Sequence, residues 1–201
     1  RDGGVVTEFK KSEMTDDAMV SAMVGRKIEH IFPKKRTYDP NRPVLLEVKN
    51  LNYIDPVTGR PILSDINFEL HKGEILGIGG LVGSRRTELL LSLFGAFKAQ
   101  KISGEILLEG RSIKLENPRD AIDAGIALVT EDRKGSGLIL NRAIRENVSL
   151  ASLSKISSLS KIVRNQENDL VQNYTRALHV KAPNLDFQVS CLSGGNQQKV
   201  I

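Results

Sequence analysis

Apolar and polar positions change rhythm several times along the chain, and each change predicts an element. Residues 44–48 (VLLEV) are followed by charge and turn signals and predict a strand. Residues 62–70 alternate so that Ile66, Phe68 and Leu70 share one face, a second strand, with Pro56, Gly59 and Pro61 marking the loop between the two. Residues 75–78 and 126–129 are short apolar runs, the pattern of strands buried on both faces. Residues 87–94 carry Leu89, Leu90 and Leu93 at helical spacing. Residues 105–108 and 112–115 predict a hairpin turned at Glu109 and Gly110. Asn117 and Pro118 start a helix that ends at Gly125, with proline at its first position. Residues 142–180 are mostly helical around a serine-rich break at 152–160. Upstream, residues 1–4 are turn chemistry and 5–9 predict a short strand. A helix then starts at Thr15, favoured by Asp16 and Asp17, and closes at Gly25 and Arg26. The segment 31–43, with Pro33, Pro40, Pro43 and several basic residues, predicts an extended charged linker.

Strand, glycine-rich loop, helix is the order found over residues 75–94, and it predicts an α/β domain beginning near Val44. The 201 residues suffice for one sizeable domain, or a domain plus fragments. With no tryptophan and 4% aromatics, an aromatic platform for nucleic acid is disfavoured, and the basic residues behind the +5 charge are dispersed without a docking motif. Cys191 is the only cysteine, so no intrachain disulfide forms and a reducing compartment is expected. It reads as a small buried hydrophobe. His30, His71 and His179 lack metal-ligand spacing. No apolar run approaches the ~20 residues of a membrane span. The chain starts at Arg1 and stops in mid-pattern at Ile201, and reads as a piece of something longer.

The candidate chemistry lies in two strings. Residues 80–87, GLVGSRRT, nearly match the phosphate loop G-x-x-x-x-G-K-[ST]. Such a loop points backbone N–H groups at phosphates from a helix N-terminus, with lysine on the terminal phosphates and the hydroxyl helping to hold Mg²⁺. Gly79, Gly80 and Gly83 keep the flexibility, Ser84 lies within the turn and Thr87 keeps the hydroxyl. Arg85 stands at the second glycine and Arg86 at the lysine. If position 85 needs a positive φ, a side chain there costs roughly 1–2 kcal/mol. Taken alone, the loop fits a plain glycine-rich turn as well as a nucleotide site. The second string is Leu192-Ser193-Gly194-Gly195-Asn196-Gln197, a serine cap followed by two glycines at a helix entry, which leaves N–H groups open to an anion.

Together the strings carry a resemblance. LSGGNQQKV is similar to the signature motif LSGGQ of ABC transporters, in the Asn-Gln variant used by monosaccharide importers. GLVGSRRTEL resembles the altered phosphate loop of the second ATPase domain of those proteins, and ALVTEDRKGSGLI resembles their Q-loop segment with Glu131 at the glutamine position. The likeness covers the whole chain and is nearest to the galactose/methyl galactoside type, with the ribose type close behind. It implies a P-loop NTPase fold of ABC type, with an antiparallel β subdomain and a helical subdomain, stopping before the Walker B strand. It also implies that residues 1–30 are the tail of a preceding ATPase domain, 31–43 a linker and 44–201 an incomplete second domain.

In this family two ATPase domains meet head to tail, each ATP lying between one phosphate loop and the opposite signature motif. The resemblance therefore implies that Gly80, Gly83, Ser84, Arg85, Arg86 and Thr87 form this domain's own weakened site for ATP and Mg²⁺, the metal held through Thr87. Glu131 would lie near that metal and at the membrane permease. Ser193, Gly194, Gly195 and Gln197 would contact ATP held by the other domain. Tyr53 is the nearby aromatic for adenine stacking, with strand-end packing its equal alternative. The general base, the Mg²⁺ aspartate and the switch histidine would follow Ile201, so no catalytic residue is expected within the chain. The implied partners are a transmembrane sugar permease, the other ATPase domain and, indirectly, a periplasmic or extracellular sugar-binding protein, with the protein at the cytoplasmic face of the membrane. A non-catalytic domain whose altered loop binds no nucleotide stays open beside this reading.

Overall fold

The computed structural model describes residues 4–24, 41–97, 101–159 and 161–201. The chain divides into two compact units, Arg1–Pro43 and Val44–Ile201. In the first, helix α1 (Asp16–Val24) starts where Thr15 Oγ1 accepts the N–H of Ala18 at 3.2 Å. The strand expected over residues 5–9 does not form: Val5, Val6 and Phe9 are exposed, and no described strand pairs with them. The helix closure at Gly25 and Arg26 and the linker over 31–40 lie outside the described residues.

The second unit is built on a four-stranded antiparallel sheet of order β2-β1-β3-β4, from β1 (Val44–Ile54), β2 (Pro61–His71), β3 (Ile102–Leu108) and β4 (Arg111–Ser112). Val48 pairs with Phe68 on one side and Ile106 on the other. Strict alternation along β1 would put Val48 and Leu51 on opposite faces, yet both are buried with Tyr53. An irregularity at Asn50 (φ 48°) resets the period, as a bulge does. Its backbone is held by the Asn67 side chain, whose Oδ1 accepts the Asn50 N–H at 2.8 Å. Gly104, at φ 108°, lies so close beneath that a Cβ would strike the Asn50 carbonyl.

Helix α2 (Arg86–Leu93) lays Leu89 and Leu93 on this sheet with Leu51, Leu63, Ile106 and Leu115. Helix α3 (Pro118–Asp123) has a capping box: Asn117 Oδ1 accepts from the N–H of Arg119 and Asp120, and Asp120 Oδ2 accepts the Asn117 N–H. The helical part follows, with α4 (Ile144–Leu150), α5 (Leu153–Ile156), α6 (Arg164–Ala177) and α7 (Gly194–Val200). Its core is Leu138, Ile144, Val189, Leu192 and Val200. The serine-rich break holds a small hairpin of β5 (Ser157–Ser158) and β6 (Lys161–Ile162), which the sequence reading lacked.

Two expected strands are absent. Residues 75–78 and 126–129 enter no described sheet, and Ile75 is 95% and Val129 74% exposed. A strand of a parallel sheet is defined by hydrogen bonds to both neighbours. Among the described residues no strand pairs with either run, so both stay irregular, with 75–78 exposed and Ile126 half-buried against the sheet core. Cys191 is also corrected: it is exposed, and its Sγ donates to the Gln188 carbonyl at 2.8 Å.

Candidate nucleotide-binding site

The glycine-rich loop enters α2 through Arg85, which sits in the left-handed region at φ 62°, ψ 27° and caps the helix without a side-chain bond to its backbone. A glycine at this place would take the conformation freely. Arg85 instead turns its guanidinium back onto the first helical turn, donating to Glu88 Oε1 at 2.7 Å. That bond holds the Glu88 carboxyl below its ordinary value of 4.5. Gly80 lies close to Ser84, whose Oγ would have to turn aside for a Cβ there. The Gly83 turn has φ 87°, and Ser84 N–H donates to the Leu81 carbonyl at 3.1 Å. Arg86 is exposed and has no carboxylate partner among the described residues.

This loop forms one wall of a cleft of about 690 Å³, and the segment ending in Glu131 forms another. Thr87 Oγ1 donates to Glu131 Oε1 at 2.7 Å, joining residues 44 positions apart. The structure thus brings together Gly83, Ser84, Arg85, Arg86, Thr87 and Glu131 around one cavity. A hydroxyl and a carboxylate oxygen side by side suit a hard cation such as Mg²⁺. Among the described residues no group of three or more His, Cys, Asp or Glu side chains could hold a metal unaided. The residues therefore fit a cation that brings further oxygens of its own, as one bound to a phosphate does.

The second string lies elsewhere, at the start of α7. Ser193 occupies the cap with its carbonyl accepting the Gln197 N–H at 2.9 Å, and Ser193, Gly194 and Gly195 are exposed. The Ser193 hydroxyl accepts from Asn196 Nδ2 at 3.2 Å rather than from the α7 backbone. Gln197 is turned inward: it is 8% exposed, and its Nε2 donates to the Val189 carbonyl at 3.3 Å. Its amide is committed to holding the helix entry. Tyr53 is likewise no free platform. It is 5% exposed and stacks on Phe97 with centroids 4.4 Å apart, so strand-end packing is its role.

Sequence reasoning missed Arg133. Its Nη1 donates to the Gly194 carbonyl at 2.7 Å and reaches Gln197 Oε1 at 3.4 Å. Those partners are 61 and 64 residues away, and no spacing rule connects them. It also missed the Arg85–Glu88 pair, which helical i,i+3 spacing could have found.

The family described as ABC transporter matches residues 63–201. The chain is 41% identical over 202 residues to the xylose import ATP-binding protein XylG of Thermoanaerobacter pseudethanolicus, covering 100% of this chain and 39% of that protein. It is 43% identical to the ribose import ATP-binding protein RbsA of Clostridium tetani over 100% of this chain and 38% of the relative. It is 41% identical over 204 residues to the L-arabinose transport ATP-binding protein AraG of Geobacillus stearothermophilus, again over 39% of its length. The chain thus spans about two fifths of the length of these relatives. Among solved structures, cbiO1 of Clostridium perfringens, part of the ABC transporter complex cbiONQ, superposes with a TM-score of 0.57 at 22% identity, over 79% of this chain and 59% of that one. A bacterial Atm1-family ABC exporter with ATP bound gives the same TM-score and identity over 91% of this chain and 30% of that one. These two likenesses concern the fold alone. With the loop, the cleft and the exposed serine-glycine turn in place, the matched family describes the molecule: the chain belongs to the ABC transporter family.

Proposed function

We propose that this chain is the second nucleotide-binding half of an ATP-binding subunit that couples ATP binding and hydrolysis to monosaccharide import. Residues 1–30 would be the tail of the first ATPase domain and 31–43 the linker between them. The relatives' names point to xylose, ribose and L-arabinose, all pentoses, and none of these three supports the galactose type. The cleft beside Thr87 and Glu131 takes Mg-ATP weakly, because Arg85 and Arg86 replace the glycine and lysine of the loop. The Ser193-Gly194-Gly195 turn serves the ATP held by the other ATPase domain in a head-to-tail pair. A membrane permease, and through it an external sugar-binding protein, complete the assembly at the cytoplasmic face. Among the described residues no helix is long and apolar enough to cross a membrane.

The observation that carries this reading is the exposure of Ser193, Gly194 and Gly195 at a place apart from the chain's own cleft. Such a turn leaves helix-entry N–H groups accessible to an anion held by another domain. In the full-length protein with its permease, Ser193→Ala is expected to lower the rate of ATP hydrolysis at least about ten-fold, the scale of one lost contact to a charged group. Hydrolysis unchanged in that variant would remove the signature role.

A second reading has its own support. Arg85 with Glu88, and Thr87 with Glu131, satisfy one another without a ligand. A loop so paired can stand as a structural or regulatory element that takes no nucleotide. Calorimetry with a non-hydrolysable Mg-ATP analogue separates the two on the same full-length protein. Mg-ATP binding weakened by Arg86→Glu favours the weak site, and a single class of binding indifferent to Arg86 favours the structural element.

A further inference from the structure

We infer that Arg133 is a positioning residue for the Ser193-Gly194-Gly195 turn, tying it to the loop that carries Glu131. The inference rests on the proposed reading of that turn as a nucleotide contact. One guanidinium nitrogen serves two acceptors of the α7 entry, the Gly194 carbonyl at 2.7 Å and Gln197 Oε1 at 3.4 Å. The far end of the Gln197 amide is fixed on the Val189 carbonyl, so Oε1 is aimed back at Arg133. Gly194 fits this arrangement for a steric reason: a Cβ there would lie 2.6 Å from Arg133 Nη1. The turn therefore presents its N–H edge outward while its carbonyl side is clamped from behind.

The loop that holds Arg133 is itself stiff. Arg133–Gly137 forms one π-type turn, a rare local geometry often found at functional sites. Asp132 Oδ1 accepts the Gly135 N–H at 2.9 Å, and the Asp132 carbonyl accepts the N–H of Ser136 and Gly137. Thr130 Oγ1 accepts the Asp132 N–H at 3.2 Å and meets Ser136 Oγ at 2.8 Å. Glu131 and Arg133 are joined through the Arg133 N–H on the Glu131 carbonyl at 3.1 Å. Their side chains reach in different directions, one to Thr87 in the cleft and one to α7. A continuous line of bonded groups runs from the phosphate loop through Glu131 and Arg133 to Gly194, the kind of physical contact that energetic coupling requires. Arginine suits the place because Nη1 holds its two N–H groups in one fixed plane, able to serve both acceptors, whereas lysine is a flexible point charge.

The test is steady-state ATP hydrolysis by the full-length protein with its permease, comparing Arg133→Met, Arg133→Lys and Ser193→Ala. Removing a group that orients a transition-state contact lowers kcat and leaves KM alone. Arg133→Met is expected to lower kcat about ten-fold with KM for Mg-ATP within about two-fold, the scale of one mispositioned hydrogen bond to a charged group. Arg133→Lys is expected to recover part of the loss, through Gly194 alone, and should Arg133→Met not fold, a fall in kcat at unchanged KM in Arg133→Lys carries the test. A merely structural role would show instead as a lower melting temperature with kcat of the folded protein intact, and would overturn the inference. A raised KM at unchanged kcat would also overturn it. If Ser193→Ala lowers hydrolysis and neither Arg133 variant does, the positioning role alone fails. If Ser193→Ala has no effect either, the reading of the turn fails first.

Discussion

At the scale of single residues, Arg85 shows how a side chain can occupy a glycine's place. The left-handed conformation at φ 62° disfavours any residue with a Cβ by roughly 1–2 kcal/mol. The ion pair with Glu88 offsets part of this, but Arg85 is 55% exposed, and an exposed pair contributes only about 0.2–1 kcal/mol. Arg85→Ala keeps the strain and loses the pair; Arg85→Gly loses both. Urea denaturation should therefore find Arg85→Gly more stable than Arg85→Ala by about 1 kcal/mol, after allowing for the entropy glycine adds to the unfolded chain. Equal stabilities would mean that position 85 relaxes out of the left-handed region. The pair also sets a pH dependence. The Glu88 carboxyl is held below 4.5 by the Arg85 hydrogen bond, so its contribution is present above that value and is lost as pH falls through the lower folded value. Arg85→Ala should flatten this acid-side slope.

At the scale of elements, legibility follows how local the cause is. Helix α3 could be read because its causes, Asn117, Pro118 and Asp120, are adjacent in sequence. Helix α2 could be read from Leu89 and Leu93, the start of β1 from the run at 44–48 and β2 from alternation, whereas the reset at Asn50 and the continuation of β1 to Ile54 could not. Residues 75–78 and 126–129 carry the right composition for buried strands, but a ladder depends on neighbours that composition cannot supply. In the candidate site, Thr87, Ser193 and the glycines were legible as motif positions. Arg133 was not, because its role exists only once the fold brings α7 to it. The same holds for Glu167, which looks like a solvated helix charge and is 1% exposed. Its Oε1 accepts from Ser149 Oγ at 3.1 Å and its Oε2 from Arg164 Nη1 at 2.7 Å, fastening α6 to α4. Glu167→Ala leaves a cavity and reduces the buried Ser149 hydroxyl to its long bond on the Glu146 carbonyl at 3.4 Å, and is expected to destabilise by about 1–3 kcal/mol in denaturant unfolding. Glu167→Gln keeps the volume and one acceptor oxygen, with a donor NH₂ in place of the other, and should fall between; a neutral Glu167→Ala would show that α4 and α6 are held by their apolar contacts alone.

At the scale of the whole molecule, the Thr87–Glu131 bond joins the start of α2 to the loop before the helical part, and under the proposed nucleotide reading its charge distinguishes Mg-ATP from metal-free ATP. Metal-free ATP brings several negative charges toward a carboxylate, and Mg-ATP brings a cation to the same oxygen. The two effects have opposite signs, so one substitution can distinguish them. Glu131→Gln keeps a carbonyl oxygen to accept the Thr87 hydroxyl and removes only the charge. At about 4 Å, unit charges interact by about 1 kcal/mol in water and about 4 kcal/mol near a protein surface, and the exposure of both residues favours the low end. Calorimetry on the full-length protein with a non-hydrolysable ATP analogue should find binding of the Mg form to this cleft weakened about five-fold in Glu131→Gln. ATP in the presence of a chelator should bind about as much more tightly, so the ratio of the two affinities should move about twenty-fold. Both affinities falling together would mean that the bond to Thr87 matters only for the shape of the loop. Neither changing would place the phosphates away from Glu131, and the cleft would then bind its ligand through the main-chain amides of the loop and Arg86 without help from the 130–137 segment.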